Sequence, residues 1–165
     1  IAPSLVGSEM CIRDRVDIIP VSLALSQAAI ESGWGTSRFA FEGNALFGQY
    51  VWGNDENGIV PTERKNDEVF SIKAFSSLRE SVASYMLNLN SNHHYNEFRN
   101  NRFILKNTKQ KISGIHLAEF LKNYSIEDNY PSKVIGIIKT NNLEDLDDMK
   151  IDKRIIAENI LSDVI

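Results

Sequence analysis

The sequence predicts a mainly helical α+β domain. Three observations carry that expectation. Apolar residues recur at helical spacing along most of the chain, a turn-rich stretch over 51–75 carries β-type alternation, and 165 residues fit a single domain. A chain of that length buries roughly two thirds of its unfolded surface, enough for a core without staples.

The first helix opens at Pro20, runs through Val21-Ser-Leu-Ala-Leu-Ser-Gln-Ala-Ala-Ile-Glu31-Ser32, and stops at Gly33. Proline suits the first helical turn because its missing N–H is no loss there, and glycine suits the position past the end. Ser22, Ala24, Ser26 and Ala28 are small, so neighbours can approach this helix closely. Leu25 and Ala29 continue its apolar stripe, and Glu31 falls in its last turn.

Four glycines between 33 and 48 then call for tight turns and close backbone approach. Over 51–68 the chain is polar and turn-rich. Val69-Phe-Ser-Ile-Lys-Ala-Phe75 alternates, as a strand or hairpin arm does. Ser77-Leu-Arg-Glu80 fits a capping box, and Val82, Tyr85, Met86 and Leu89 follow at i, i+3, i+4 and i+7. Tyr95, Phe98 and Leu105 predict another helix. Leu117, Phe120, Leu121 and Tyr124 predict one more. Pro131 opens a last one with Val134, Ile135 and Ile138 inward.

Hydrophobic residues make up 42% and charged residues 24%, which excludes disorder over the whole length. Eighteen basic against 22 acidic residues leave a net charge of −4, the wrong sign for affinity built on phosphate neutralisation. Nucleic acid is therefore excluded as a first choice of partner. No stretch reaches the roughly 20 apolar residues needed to span a bilayer. The single Cys11 cannot form an internal disulfide or a cysteine-based zinc site. His93, His94 and His116 have no metal-ligand spacing with nearby acids, so neither metal nor cofactor is expected. The pair His93-His94 reads as solvated helix-end residues.

Residues 1–15 stand apart. Ser4-Leu-Val-Gly-Ser-Glu-Met-Cys-Ile-Arg-Asp-Arg15 resembles a sequencing-adapter translation that recurs at the ends of unrelated metagenomic sequences. No chemistry is based on that segment. The expected division is 1–15 as a non-native segment, 16–147 as the catalytic domain and 148–165 as a charged tail that ends in a short helix.

Glu31 is the focal residue. An acid in the last turn of a helix meets partial negative charge, and Trp34 beside it disfavours a carboxylate. Both effects push its pKa upward and suit a proton donor near neutral pH. The plain alternative is a solvated glutamate at a helix end, and spacing alone leaves both readings open.

The run Gln27-Ala-Ala-Ile-Glu31-Ser-Gly-Trp-Gly-Thr-Ser-Arg-Phe-Ala40 is followed by Glu42-Gly-Asn44 and Leu46-Phe-Gly48. Gly58-Ile-Val-Pro61, Ser81-Val-Ala-Ser-Tyr-Met-Leu-Asn-Leu-Asn90, Asn123-Tyr-Ser125, Tyr130 and Asn141-Asn-Leu143 extend the series. This ordered set resembles the glucosaminidase family, glycoside hydrolase family 73, and within it the Bax-like bacterial branch. The resemblance covers residues 16–147.

It implies a lysozyme-like domain with a small β-hairpin lobe flanking a cleft. It also implies cleavage of the β-1,4 bond after N-acetylglucosamine in peptidoglycan or a related glycan, by an exported monomer in the periplasm or cell envelope. Glu31 takes the family's catalytic-acid position. Glycosidases usually place a second carboxylate opposite the acid. Glu63 is preferred for it and Glu68 is the rival, although each also reads as a surface acid on a polar hairpin. Tyr124 matches a cleft tyrosine that touches the reacting sugar or steadies charge, but its spacing equally fits a core aromatic. Tyr130 is the alternative. Trp34, Phe47, Tyr50 and Trp52 are candidate sugar platforms, with Trp34 and Phe47 equally placed for the core. Asn44 and Gln49 join them as substrate-binding candidates. A lytic transglycosylase, a muramidase of lysozyme-like fold and a non-catalytic glycan-binding scaffold are the competing functions.

Overall fold

A computed structural model describes residues 17–52, 58–62 and 70–149. Helix α1 spans Val21–Ser32 and ends where Gly33 turns into the left-handed region at φ 58°. The Trp34 N–H then closes back on the Ala29 carbonyl at 2.8 Å. Glu31 thus sits in the last turn, as expected, with the chain folded sharply away behind it.

Helix α2 (Arg38–Gly43) starts at Ser37, whose hydroxyl accepts from the Ala40 N–H. Three short strands follow: β1 (Tyr50–Trp52), β2 (Gly58–Ile59) and β3 (Phe70–Lys73). Their order is β1-β3-β2, antiparallel throughout, with Val51 opposite Ser71 and Ile59 opposite Ile72. The alternating stretch thus forms a strand, as expected, paired with β2 on one side and with β1 on the other at the centre of a three-stranded sheet.

Helix α3 (Leu78–Ser91) is capped as its sequence predicts. The Ser77 hydroxyl accepts from Glu80 N–H, and the Glu80 carboxylate reaches back to Ser76 N–H, one residue before the expected partner. Its buried stripe is Ser81, Tyr85 and Leu89, and Val82 and Met86 sit at the stripe's margin. A 3-10 turn (His93–Tyr95) leads into α4 (Asn96–Asn107), which buries Phe98, Arg99, Arg102 and Leu105. Both arginines donate guanidinium N–H groups to backbone carbonyls, Arg99 to Leu89 and Asn92 and Arg102 to Ile18, and Arg99 also donates to the Asn96 side-chain oxygen.

The helix expected through Tyr124 stops early. Helix α5 covers only Gly114–Ala118, and tight turns closed from Leu121 N–H to Ala118 and from Tyr124 N–H to Leu121 carry the chain onward. These three-residue closures are tighter than α-helical ones. Helix α6 (Tyr130–Thr140) has proline at its start and buries Tyr130, Val134 and Ile138. A final 3-10 segment covers Leu143–Asp148.

Helix α1 packs against α5, α6 and that last segment. The small residues on α1 permit this: a Cβ on Gly114 would lie 2.0 Å from the Ser22 hydroxyl. Asp147 accepts from the Ser22 N–H (2.8 Å), the Ser22 hydroxyl (2.7 Å) and the Gly114 N–H (3.0 Å). One carboxylate therefore supplies acceptors to the N-terminal ends of α1 and α5, where helical N–H groups lack partners. Leu23, Leu89, Phe98, Leu117, Leu121, Val134 and Ile138 are fully buried around this assembly. Among the described residues no helix is long and apolar enough to cross a membrane.

Candidate active site

A cleft of about 630 Å³ runs between the β-sheet and the helices, with Glu31 in its lining. Phe47, Gly48, Gln49 and Tyr50 form the side nearest the sheet. Asn88, His94 and Tyr95 come from α3 and the following turn, and Lys122, Asn123, Tyr124, Ser125 and Ile126 from the loop after α5. Among the described residues, Glu31 is the only carboxylate in that lining.

Glu31 is half-buried, and its Oε1 accepts from the Tyr130 hydroxyl at 2.8 Å. Its pKa is raised above 4.5. Desolvation is the main cause, the Tyr130 hydrogen bond opposes it, and the negative charge of Glu127 adds to it. Tyr130 in turn is held far above its usual range by burial and by the nearby Glu31 charge, so it stays a neutral hydroxyl donor. Of the two sequence readings of Glu31, the structure matches the one with an elevated pKa. Desolvation in the cleft is its main source, and Trp34 is not in the cleft lining.

Tyr124 forms the wall beside this pair. Its ring stacks on Tyr130 with centroids 5.4 Å apart and 11° between planes, and its hydroxyl donates to the Phe47 carbonyl at 3.3 Å. Burial raises its pKa well above the ordinary tyrosine value. Tyr124 is thus both a packed aromatic and a cleft residue, and the early end of α5 turns it inward. Phe47 is buried and stacks on Tyr85 at 4.0 Å, so its ring belongs to the core that floors the cleft.

Gly48 has φ +57°, and a Cβ there would stand 3.0 Å from Oε2 of Glu31. Gln49 donates weakly to the Ser84 carbonyl at 3.4 Å. Tyr50 and Trp52 project from β1 two residues apart and both pack against Phe70, and Trp52 is 77% exposed. Asn44 lies away from the cleft lining. Its side chain donates to the Phe75 carbonyl at 3.0 Å and so ties α2 to the end of β3. Trp34 is exposed outside this cleft, in a separate apolar groove with Leu25, Ala28, Leu46, Ile137 and Leu143. Glu63 and Glu68, the two candidates for the second carboxylate, lie outside the described residues.

Several lining residues carried no sequence signal of their own. Asn88 lies on the predicted α3, and Tyr95 enters the sequence reading only through its helical spacing with Phe98 and Leu105. His94, expected as a solvated helix-end residue, is exposed and also lines the cleft, packed against the His93 ring at 3.9 Å. Gln27 was part of the quoted motif without a role. The visible clue was its spacing, since four residues before Glu31 places it on the same helix face.

Residues 11–143 match the glucosaminidase family, described as mannosyl-glycoprotein endo-beta-N-acetylglucosaminidase. The protein Bax of Escherichia coli strain K12 is 39% identical over 113 residues, which are 68% of this chain. The chain spans 39% of that relative's length. The catalytic domain of the autolysin Auto from Listeria monocytogenes superposes with a TM-score of 0.53 at 18% identity, over 84% of this chain and 80% of that domain. A peptidoglycan hydrolase from Sphingomonas sp. A1 gives 0.53 at 20% identity, over 82% of this chain and 85% of its own. Those two likenesses show a shared fold. The family match covers the helix that carries Glu31 and every described residue lining the cleft, and the chain belongs to the glucosaminidase family of glycoside hydrolases.

Proposed function

We propose that this domain hydrolyses the β-1,4 bond after N-acetylglucosamine in peptidoglycan, with Glu31 as general acid. The observation that carries this reading is the state of Glu31: an acid in the cleft lining, desolvated enough to keep its proton above 4.5, and anchored through Oε1. Its Oε2 then holds the proton to be given. As the bond from the anomeric carbon to the glycosidic oxygen breaks, the bonding pair leaves on that oxygen and the Glu31 proton joins it. Water completes the reaction at the anomeric carbon. Either Glu63 takes the water's proton, or the substrate's acetamido oxygen first bonds the anomeric carbon and water then displaces it, passing its proton to the Glu31 carboxylate. Tyr124 lines the reacting subsite, and Tyr50 and Trp52 offer aromatic faces to neighbouring sugars. Such a substrate places the domain outside the cytoplasm, as an exported enzyme of the periplasm or cell envelope that acts as a monomer.

The test is digestion of purified cell walls followed by identification of the new chain ends. Reducing-end N-acetylglucosamine is the expected product. Reducing-end N-acetylmuramic acid would reassign the bond, 1,6-anhydro ends would make the enzyme a lytic transglycosylase, and saturable binding without turnover would leave a scaffold. Glu31→Gln should lower turnover on the order of 10²- to 10⁴-fold, the usual contribution of a positioned proton donor. Wild-type turnover in that variant removes Glu31 from the mechanism.

A further inference from the structure

Behind Glu31 runs a chain of three hydrogen bonds, two of them buried and the last, at Glu31, part-buried. The Tyr85 hydroxyl donates to Oε1 of Gln27 at 2.8 Å. Nε2 of Gln27 donates to the Tyr130 hydroxyl oxygen at 3.0 Å. The Tyr130 hydroxyl donates to Oε1 of Glu31 at 2.8 Å. Gln27 and Tyr85 are fully buried and Tyr130 is 2% exposed, so water does not compete for these groups.

The direction of this chain follows from what each atom can do. An amide nitrogen only donates and an amide oxygen only accepts. With Nε2 turned to Tyr130, that hydroxyl's oxygen is already receiving a proton, and its own proton must go elsewhere. The acceptor in reach is Oε1 of Glu31. Turning the Gln27 amide over would aim Tyr130 at Gln27 instead and leave the buried Tyr85 proton without this acceptor, a cost of roughly 1–3 kcal/mol. Tyr85 therefore decides how Gln27 sits, and Gln27 decides where Tyr130 points.

We propose that Gln27 and Tyr85 are positioning residues that act through Tyr130: their chain keeps a donor on Oε1 of Glu31 in both protonation states, so that Oε2, beside Gly48, is the oxygen that carries the acid proton. The proposal rests on the reading of Glu31 as general acid for its consequence in catalysis, but the chain itself is measurable without turnover. The groups that face Glu31 are Tyr130 from α6, Tyr124 from the loop after α5, Tyr95 from the 3-10 turn and, at longer range, Glu127. His94 and Lys122 share the cleft. Of these, only Tyr130 is bonded to Glu31 through its side chain, and Tyr85 reaches Glu31 only by way of Gln27 and Tyr130.

The experiment is a carboxyl-carbon NMR titration of Glu31 in the wild type, Tyr130→Phe, Tyr85→Phe and the double variant, with pH profiles of kcat/KM measured alongside. A donor on Oε1 favours the carboxylate, so losing it moves the Glu31 pKa upward. Tyr130→Phe should show that rise, with kcat down roughly tenfold, the size of one such hydrogen bond, and KM little changed. Tyr85→Phe should shift Glu31 in the same direction although it does not touch it. The double variant should move no further than Tyr130→Phe alone, since both act through one bond. An unshifted Glu31 in Tyr85→Phe, or additive shifts in the double variant, overturns the proposal. Should a variant fail to fold, the unsubstituted protein still decides. The hydroxyl protons of both Tyr130 and Tyr85 should move as Glu31 titrates, and a Tyr85 proton that stays put overturns it. A titrating chain in a protein with no activity on cell walls would retain the positioning and refute only the assigned reaction.

Discussion

A Cβ placed on Gly48 would stand 3.0 Å from Oε2 of Glu31. The backbone at 48 also has φ +57°, which costs a residue with a side chain about 1–2 kcal/mol. Gly48→Ala should therefore lose about that much stability in denaturant melts. It should lose a larger share of its activity, roughly 10- to 100-fold, because the new methyl crowds the oxygen proposed to carry the acid proton. A stable variant with undiminished turnover would show that Oε2 is not the working oxygen.

Glu31 makes stability depend on pH with a definite sign. Its folded pKa lies above its unfolded value of 4.5. Between the two, the folded state holds a proton that the unfolded chain releases, so stability falls as pH rises from 4.5 through the folded pKa. Glu31→Gln has no such proton. It should be the more stable protein at neutral pH, with the difference shrinking as pH drops toward 4.5. Urea melts at a series of pH values measure this. A glutamine variant less stable than wild type at pH 7 would contradict the assigned burial of Glu31.

Asp147 accepts three hydrogen bonds from two helix ends. Asp147→Ala should cost about 2 kcal/mol, comparable to losing a strong helix cap, and lower Tm by roughly 4–8 °C. Activity per folded molecule at low temperature should stay near wild type, since α1 is loosened at the end remote from Glu31. Unchanged Tm would mean that the carboxylate is not holding these ends in solution.

Trp52 is 77% exposed on β1, two residues from Tyr50. Trp52→Ala should leave Tm almost untouched, as surface changes do, while raising KM roughly 3- to 10-fold with kcat preserved. Equal KM values for variant and wild type would place sugar contacts elsewhere in the cleft.

The parts of this molecule legible in the sequence are those written locally. Pro20 and Gly33 bound the helix of Glu31, Ser77 and Glu80 announce α3, and the spacing of Val134 and Ile138 marks the inner face of α6. Each signal lies within a few residues of its effect. Tyr124 and Tyr130 were both readable as cleft candidates, but not which of them would bond Glu31, because that depends on where α5 stops. Gln27 reaches Tyr130 across 103 positions and Tyr85 across 58. No periodicity encodes such meetings, since packing of whole helices brings them about. Trp34 shows the opposite failure: it lies three residues from Glu31 in the sequence, yet past the left-handed turn at Gly33 it lines a separate groove.

The Asp147 bonds also bear on how the domain can be cut. The stretch that matches the family closes at residue 143, four positions short of the carboxylate that holds the start of the helix bearing Glu31. A gene fragment trimmed to the matched stretch would encode every wall of the cleft and still deliver Glu31 on a helix with a frayed beginning. The unit to express, to transplant into a chimera or to compare among relatives therefore extends through the last 3-10 segment, to Asp148.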